Sequence, residues 1–310
     1  MERIISRLFY GIQAYLFIVI SSCMSTPFED QLLRESYVSN LDSTERDYYV
    51  YLPKGYDALD KTWPVVMFLH GDGERGNGKD ELPYTRIHGP LYEAWAMKKE
   101  FPFIMIVPQL HMFGRDSLGI PYLVNRSTEL VPKRLEIGVP ERAPWLGGPS
   151  IQTSPMVTNF PDELPLFSDG WNRVEDDLIR MLDHTLATYN VDSKRVYLTG
   201  LSYGGFGTWY MGSHYPDRFA AIMPVVAWGH PSLLDSIAEH QLPVWAVAGG
   251  KDRTVEKKYF YKGMADLQAM GHEHVAFTVH EDLSHDAWKR VYKGDDWFQW
   301  LLEFTLDHKR

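Results

Sequence analysis

Six short apolar runs constrain this chain more than any other feature: Val65 to Leu69, Phe103 to Val107, Val196 to Thr199, Ala221 to Val226, Val244 to Ala248 and Val275 to Val279. A strand with one wet face alternates apolar and polar residues, whereas unbroken runs of this length need cover on both faces. Stretches of helical periodicity separate them. Val174, Leu178, Met181, Leu182, Leu186 and Tyr189 recur at helical spacing behind Ser168-Asp169, a start signal, and the stretch from Tyr259 to Met270 stops at Gly271. Strands interleaved with helices predict an α/β fold: a mostly parallel sheet, helices on both faces, and the apolar stripes in the core. Two further β-rich runs, Glu35 to Val38 and Asp47 to Leu52, precede the first, and Lys54-Gly55-Tyr56 reads as a turn.

The chain has 310 residues, 45% of them hydrophobic and 23% charged, enough apolar material for one large core and unlike a disordered sequence. A formal charge of -10 argues against a general nucleic-acid binder, which normally shows a basic face. At the N-terminus, Glu2, Arg3 and Arg7 lead into the apolar run Leu8 to Ile20, too short to span a bilayer and closed by Ser21-Ser22-Cys23. Residues 1–22 are therefore expected to be a secretory signal. Ile20-Ser21-Ser22-Cys23 resembles the lipobox of bacterial lipoproteins, which implies an acylated Cys23, a tether over 23–34, and a cell-envelope protein that meets the membrane through its lipid alone. The alternative is an exported soluble protein. Cys23 is the single cysteine, so the folded body, placed at 35–310, forms no internal disulfide.

One segment breaks the alternation. Between Gln109 and Gly170 there are eight prolines and six glycines with little periodicity, where a strand-to-helix connection usually takes about 2 to 6 residues. Its aromatics (Phe113, Tyr122, Trp145, Phe160, Phe167) predict an ordered cap over the site, a long insert after the fourth strand.

The chemistry is carried by three later strand ends. Val196 to Thr199 runs into Gly200-Leu201-Ser202-Tyr203-Gly204-Gly205 and then a helical stretch, the G-x-S-x-G pattern between strand and helix. Small residues flank the serine because the turn is tight enough to push it outward. A serine hydroxyl is a weak nucleophile until a base takes its proton, so an acid and then a histidine should follow. Asp252 stands just past the strand Val244 to Ala248, and His285 lies in the loop after Val275 to Val279; His280, Asp282 and Asp286 are the competing positions. The oxyanion of such a reaction needs two fixed N–H donors, assigned to the amides of Tyr203, next to the nucleophile, and Asp72, in Leu69-His70-Gly71-Asp72-Gly73-Glu74-Arg75-Gly76. That loop also satisfies a dinucleotide fingerprint and a P-loop short of its final hydroxyl. Both are rejected, because Asp72, Glu74 and Asp80 would crowd a phosphate. His272-x-His274 has no partner cluster and is expected to be solvated surface.

These segments, together with Tyr49 to Tyr56, Val191-Asp192, Gly205 to Trp209 and Pro216 to Ala221, resemble the α/β-hydrolase superfamily, in its esterase branch related to feruloyl esterases and polyhydroxybutyrate depolymerases. The resemblance spans the chain from about Tyr49 to Trp300. It implies an eight-stranded sheet with one antiparallel strand near the start, and a catalytic triad of Ser202, Asp252 and His285. Tyr203 departs from it, standing where a smaller or more flexible side chain such as Met is usual. The expected activity is hydrolysis of a carboxylic ester, on a small molecule or acylated glycan, through an acyl-enzyme and with no metal or organic cofactor. Trp171 and Trp228 are the expected pocket walls. The rival expectations are a serine peptidase or acyltransferase with the same triad, and a non-catalytic surface lipoprotein on a hydrolase scaffold.

Overall fold

The computed structural model describes residues 31–56, 61–135 and 169–308. The expected signal segment, Cys23, the tether up to residue 30, and residues 136–168 of the insert lie outside the described residues. Eight strands form one sheet: β1 (Leu32–Val38), β2 (Glu45–Tyr51), β3 (Trp63–Leu69), β4 (Ile104–Val107), β5 (Val191–Leu201), β6 (Ala221–Val225), β7 (Val244–Gly249) and β8 (Val275–His280). Their order across the sheet is β1-β2-β4-β3-β5-β6-β7-β8. β2 runs antiparallel to both β1 and β4, and every other neighbouring pair is parallel, so β2 is the one reversed strand. All the strand-forming runs of the sequence take part. β1 begins earlier than expected: residues 32–34, read as tether, pair with Tyr49, Val50 and Tyr51, because the apolar Leu32 and Leu33 continue the strand.

The unbroken apolar runs are covered on both faces. Along β3, Val65, Met67 and Leu69 join a core with helices α3 (Glu175–Thr188), α4 (Tyr203–His214), α5 (Leu234–Glu239) and α6 (Lys258–Ala269). The alternate residues Val66 and Phe68 join a second core with α1 (Gly89–Trp95), α7 (Trp288–Lys293) and α8 (Asp296–Leu301). Each such side chain, at 0% exposure, contributes about 1.5–3 kcal/mol by leaving water. The periodic residues of α3 behave as the sequence predicts, with Val174, Leu178, Met181 and Leu182 buried. Its start does not. Val174 occupies the N-cap without a side-chain bond, a short 3₁₀ turn from Trp171 to Val174 leads in, and Asp169 is engaged elsewhere.

Topology places the site. β3 has β4 on one side and β5 on the other, so the connections leaving the C-terminal ends of β3 and β5 diverge and open a crevice, the usual ligand position in such sheets. The loops after β3, β5, β7 and β8 all end at this rim.

Candidate active site

Ser202 lies where β5 turns directly into α4. Its backbone sits at φ 52° and ψ -116°, a conformation that costs a non-glycine residue about 1–3 kcal/mol. The surroundings enforce it. A Cβ on Gly200 would lie 2.3 Å from the Gly204 carbonyl oxygen, and one on Gly204 would lie 2.0 Å from that of Leu69, so only glycines let the helix start this close to the sheet. The Ser202 N–H donates to the Val225 carbonyl at 2.9 Å and the Phe206 N–H to the Ser202 carbonyl at 3.1 Å, which pins the turn from both sides.

Ser202 Oγ is 2.9 Å from His285 Nε2, and His285 Nδ1 is 2.7 Å from Asp252 Oδ2. The Asp252 side chain has no exposed surface, and its Oδ1 accepts from the N–H groups of Thr254 (2.8 Å) and Val255 (2.9 Å). Those two bonds fix the carboxylate and leave Oδ2 for the imidazole. With Nδ1 donating to Asp252, Nε2 is left as the acceptor of the serine proton. The two loops that carry these residues are tied together: Gly250 N–H donates to the His280 carbonyl and Lys251 N–H to the Leu283 carbonyl, both at 2.8 Å. Trp288 stands edge-on to the His285 ring at 5.2 Å. The competing positions are occupied otherwise. His280 is 2% exposed at the end of β8, where burial first and the Arg290 charge second hold its imidazole down at about 4. Asp282 accepts from Arg290, and Asp286 from Lys289 and Ser284.

Ser202 and His285 open on a cleft of about 450 Å³ whose floor includes Gly71, Asp72, Gly73 and Leu201. Tyr203 is the first residue of α4, so its amide has no acceptor within the helix. The remaining walls were not legible as site residues: Ile87, His88, Tyr122, Arg126, Thr254 and Trp288 come from loops and helix starts that carry no periodic signal. Burial holds the His88 imidazole down at about 4, so it is neutral at pH 7. Glu74, 3% exposed in the same wall, has its carboxyl pushed up to about 8 by burial, and its Oε1 has no hydrogen-bond partner among the described residues.

The loop after β3 is held by side-chain bonds. Its polar groups close on themselves and on the insert: Gln109 Nε2 donates to the carbonyls of Glu74 (2.9 Å) and Glu81 (2.7 Å), and Gln109 Oε1 accepts from the Gly78 N–H (2.9 Å). A Cβ on Gly76 would meet that glutamine at 2.5 Å. The Asp72 carboxylate accepts from Arg75 Nε (2.6 Å), Arg115 (2.8 Å) and Tyr122 Oη (2.7 Å). Arg115 also donates to Asp169 at 2.8 Å, whose other oxygen accepts from Tyr203 Oη at 2.5 Å, and the fully buried Arg75 guanidinium lies 4.7 Å from the centre of the Tyr203 ring. Burial works against the Asp169 charge, yet the bonds from Tyr203 and Arg115 hold its carboxyl below the usual range.

Three expectations need correcting. Trp171 is not a pocket wall: it is 0% exposed, edge-on to His70 at 4.9 Å and pressed against Gly207, where a Cβ would come within 2.7 Å of the indole. Trp228, 4% exposed, packs against Phe206, His230 and Tyr259 in the core beside α4. His272 is not solvated surface but 5% exposed, with Nε2 at 2.8 Å from the Leu242 carbonyl. The two indoles have followed the apolar packing around them, and the imidazole is held by backbone groups of Leu242 and His274.

The reversed strand β2, the parallel remainder and the serine on its tight strand-to-helix turn make this an α/β-hydrolase fold, with a serine, a histidine and an aspartate in hydrogen-bonded sequence at its rim. The sequence profile of the prolyl oligopeptidase family matches residues 170–261. Poly(3-hydroxyalkanoate) depolymerase C of Paucimonas lemoignei is 46% identical over 46 residues, 15% of this chain and 11% of that protein. Among solved structures, a thermostable esterase matches with a TM-score of 0.58 at 21% identity, covering 90% of this chain and 64% of its own. An S-formylglutathione hydrolase from Staphylococcus aureus matches with a TM-score of 0.55 at 15% identity, covering 87% and 96%. The chain therefore covers less than two thirds of the depolymerase and of the thermostable esterase.

Proposed function

We propose that the chain hydrolyses carboxylic esters through an acyl-enzyme on Ser202. In this scheme His285 Nε2 takes the serine proton as Oγ attacks the carbonyl, and Asp252 holds the imidazole tautomer and balances its charge. The amides of Asp72 and Tyr203 hold the oxyanion. His285 then protonates the departing alcohol, and water repeats the cycle on the acyl group. The observation that carries the proposal is the pair of contacts from Ser202 Oγ to His285 (2.9 Å) and from His285 to Asp252 (2.7 Å), reached from residues 83 and 33 positions apart.

Within this proposal the substrate is an acylated carbohydrate. Support comes from the cleft, where the apolar faces of Tyr122 and Trp288 stand beside polar His88, Thr254 and Arg126, a mixture suited to a sugar ring. A peptide amide is the second possibility, favoured by the prolyl oligopeptidase match over the nucleophile region. Turnover of p-nitrophenyl acetate, acetylated and feruloylated sugars and peptide p-nitroanilides, measured side by side, decides between them; faster amide cleavage would reverse the order. Absence of a fluorophosphonate adduct on Ser202 would leave a binding protein on a hydrolase scaffold. Export and acylation at Cys23 belong to the same proposal and rest on Ile20-Ser21-Ser22-Cys23. Cys23→Ala should move the expressed protein from the membrane fraction to the soluble one.

A further inference from the structure

The insert touches the reaction site at a point the serine chemistry does not explain. Arg115, near the start of the insert, does not line the cleft, yet its two terminal nitrogens end on two different carboxylates. One is Asp72, whose own amide is a proposed oxyanion donor. The other is Asp169, which is hydrogen-bonded by the hydroxyl of Tyr203, the residue bearing the second donor. We propose that Arg115 is a positioning residue for the oxyanion hole: its fork clamps Asp72 to Asp169, and through Tyr203 it sets the separation of the two amides. The inference rests on the ester-hydrolase proposal above.

Two physical effects act together. Oxyanion donors work because they are held in place before charge develops, and a site loses rate once its groups drift by about 0.5 Å from productive geometry. The loop after β3 and the start of α4 belong to different elements, and this clamp adds a side-chain tie between them. The second effect is charge. Asp72, Asp169, Arg75 and Arg115 form a balanced cluster of two carboxylates and two guanidiniums, with side-chain exposures of 14%, 18%, 0% and 21%. Removing Arg115 leaves one guanidinium for two carboxylates beside a position where negative charge must develop. The same contacts account for the tyrosine at 203, where a smaller residue was expected: its hydroxyl is the link to Asp169, and its ring faces Arg75.

The test uses the full chain and p-nitrophenyl acetate, too small to need the insert for binding. Loss of a whole oxyanion donor costs about 10²- to 10³-fold in rate, so displacing two donors without losing either should cost Arg115→Ala about 10- to 100-fold in kcat. KM should stay within about threefold. Affinity for phenylboronic acid, whose tetrahedral adduct on serine mimics the transition state, should fall in parallel with kcat. Arg115→Lys keeps the charge without the fork and should recover only part of the loss. Tyr203→Phe removes one hydroxyl from an otherwise intact fold and should lower kcat by several fold. Combined with Arg115→Ala its penalty should be less than multiplicative, because both break one path. The proposal is overturned if Arg115→Ala and Tyr203→Phe both keep kcat within twofold, if the change is confined to KM, or if boronate affinity does not move. Should Arg115→Ala fail to fold, Tyr203→Phe decides. A wild-type chain that turns over no ester refutes the ester-hydrolase proposal itself, whereas normal wild-type turnover with unaffected variants refutes only the clamp.

Discussion

At the scale of single residues, the site asks most of Ser202, His285 and Asp252. Ser202→Ala should lower ester turnover by about 10⁴-fold or more while leaving the thermal midpoint unchanged or raised, since the serine is held in a costly backbone conformation for its hydroxyl. Asp252→Asn should cost about 10⁴-fold in kcat, because an amide in place of the carboxylate favours the wrong imidazole tautomer. Turnover within tenfold of wild type in either variant would remove the triad assignment. Glu74 gives a pH test. Its carboxyl is pushed up to about 8 in the folded chain against an ordinary value of 4.5, so between these values the unfolded chain has lost a proton that the folded chain keeps. Across that window the residue lowers stability as pH rises, at about 1.4 kcal/mol for each pH unit. Glu74→Gln should therefore gain on wild type in urea unfolding at pH 8 and gain little at pH 4; an equal difference at both would show the carboxyl to be normally ionised. The meeting of Ser202, His285 and Asp252 was legible because each sits just past an apolar strand, where the polypeptide must leave the sheet. Trp171 and Trp228 were misplaced because nothing in the local sequence says which side of an aromatic ring faces the core. Tyr122 was legible only as one aromatic of the expected cap, and His88 and Trp288, at the starts of α1 and α7, carried no local signal that places them in the cleft.

Among the elements, the edge of the sheet depends on a buried carboxylate that no pattern announced. Asp177, 2% exposed on α3, accepts from Ser39 Oγ at 2.5 Å and from the Asn40 N–H at 2.8 Å, and so ties the turn between β1 and β2 to the helix layer. Asp177→Ala strands both donors and should cost about 1–3 kcal/mol in chemical denaturation, with amide exchange rising first along β1. Uniform exchange across the sheet would indicate that the edge is held by strand pairing alone. The strands themselves were readable in number and place because continuous apolar runs need cover on two sides, although β5 begins at Val191, ahead of its apolar run, and β1 at Leu32. Helix boundaries were less so. Asp169 looks like a cap in the sequence, but Tyr203 and Arg115 compete for its carboxylate and win by tertiary contact. The described part of the insert is built from short 3₁₀ turns and the single helical turn α2 (Pro121–Val124), held by ion pairs and not by an apolar stripe, which is why its sequence shows no period.

For the molecule as a whole, the sheet order explains why one rim gathers residues from so many places. β3 and β5 pair in parallel with Leu69 opposite Gly200, which sets the loop holding Asp72 directly beside the turn holding Ser202. That neighbourhood was predictable in kind, from strands leading into loops, but not in detail, because register between strands more than a hundred residues apart is decided by packing. With one cysteine in the sequence, the folded body has no crosslink to lose, so its melting temperature should be the same with and without dithiothreitol. A shift of several degrees would point to a covalent bond between two copies. The spacing of the triad along the chain has a further outcome. Ser202 and His285 are 83 positions apart and meet only when β7 and β8 have joined the sheet. If the proposed ester hydrolysis holds, a polypeptide still being made is chemically silent, and reactivity switches on only with the last strands to emerge.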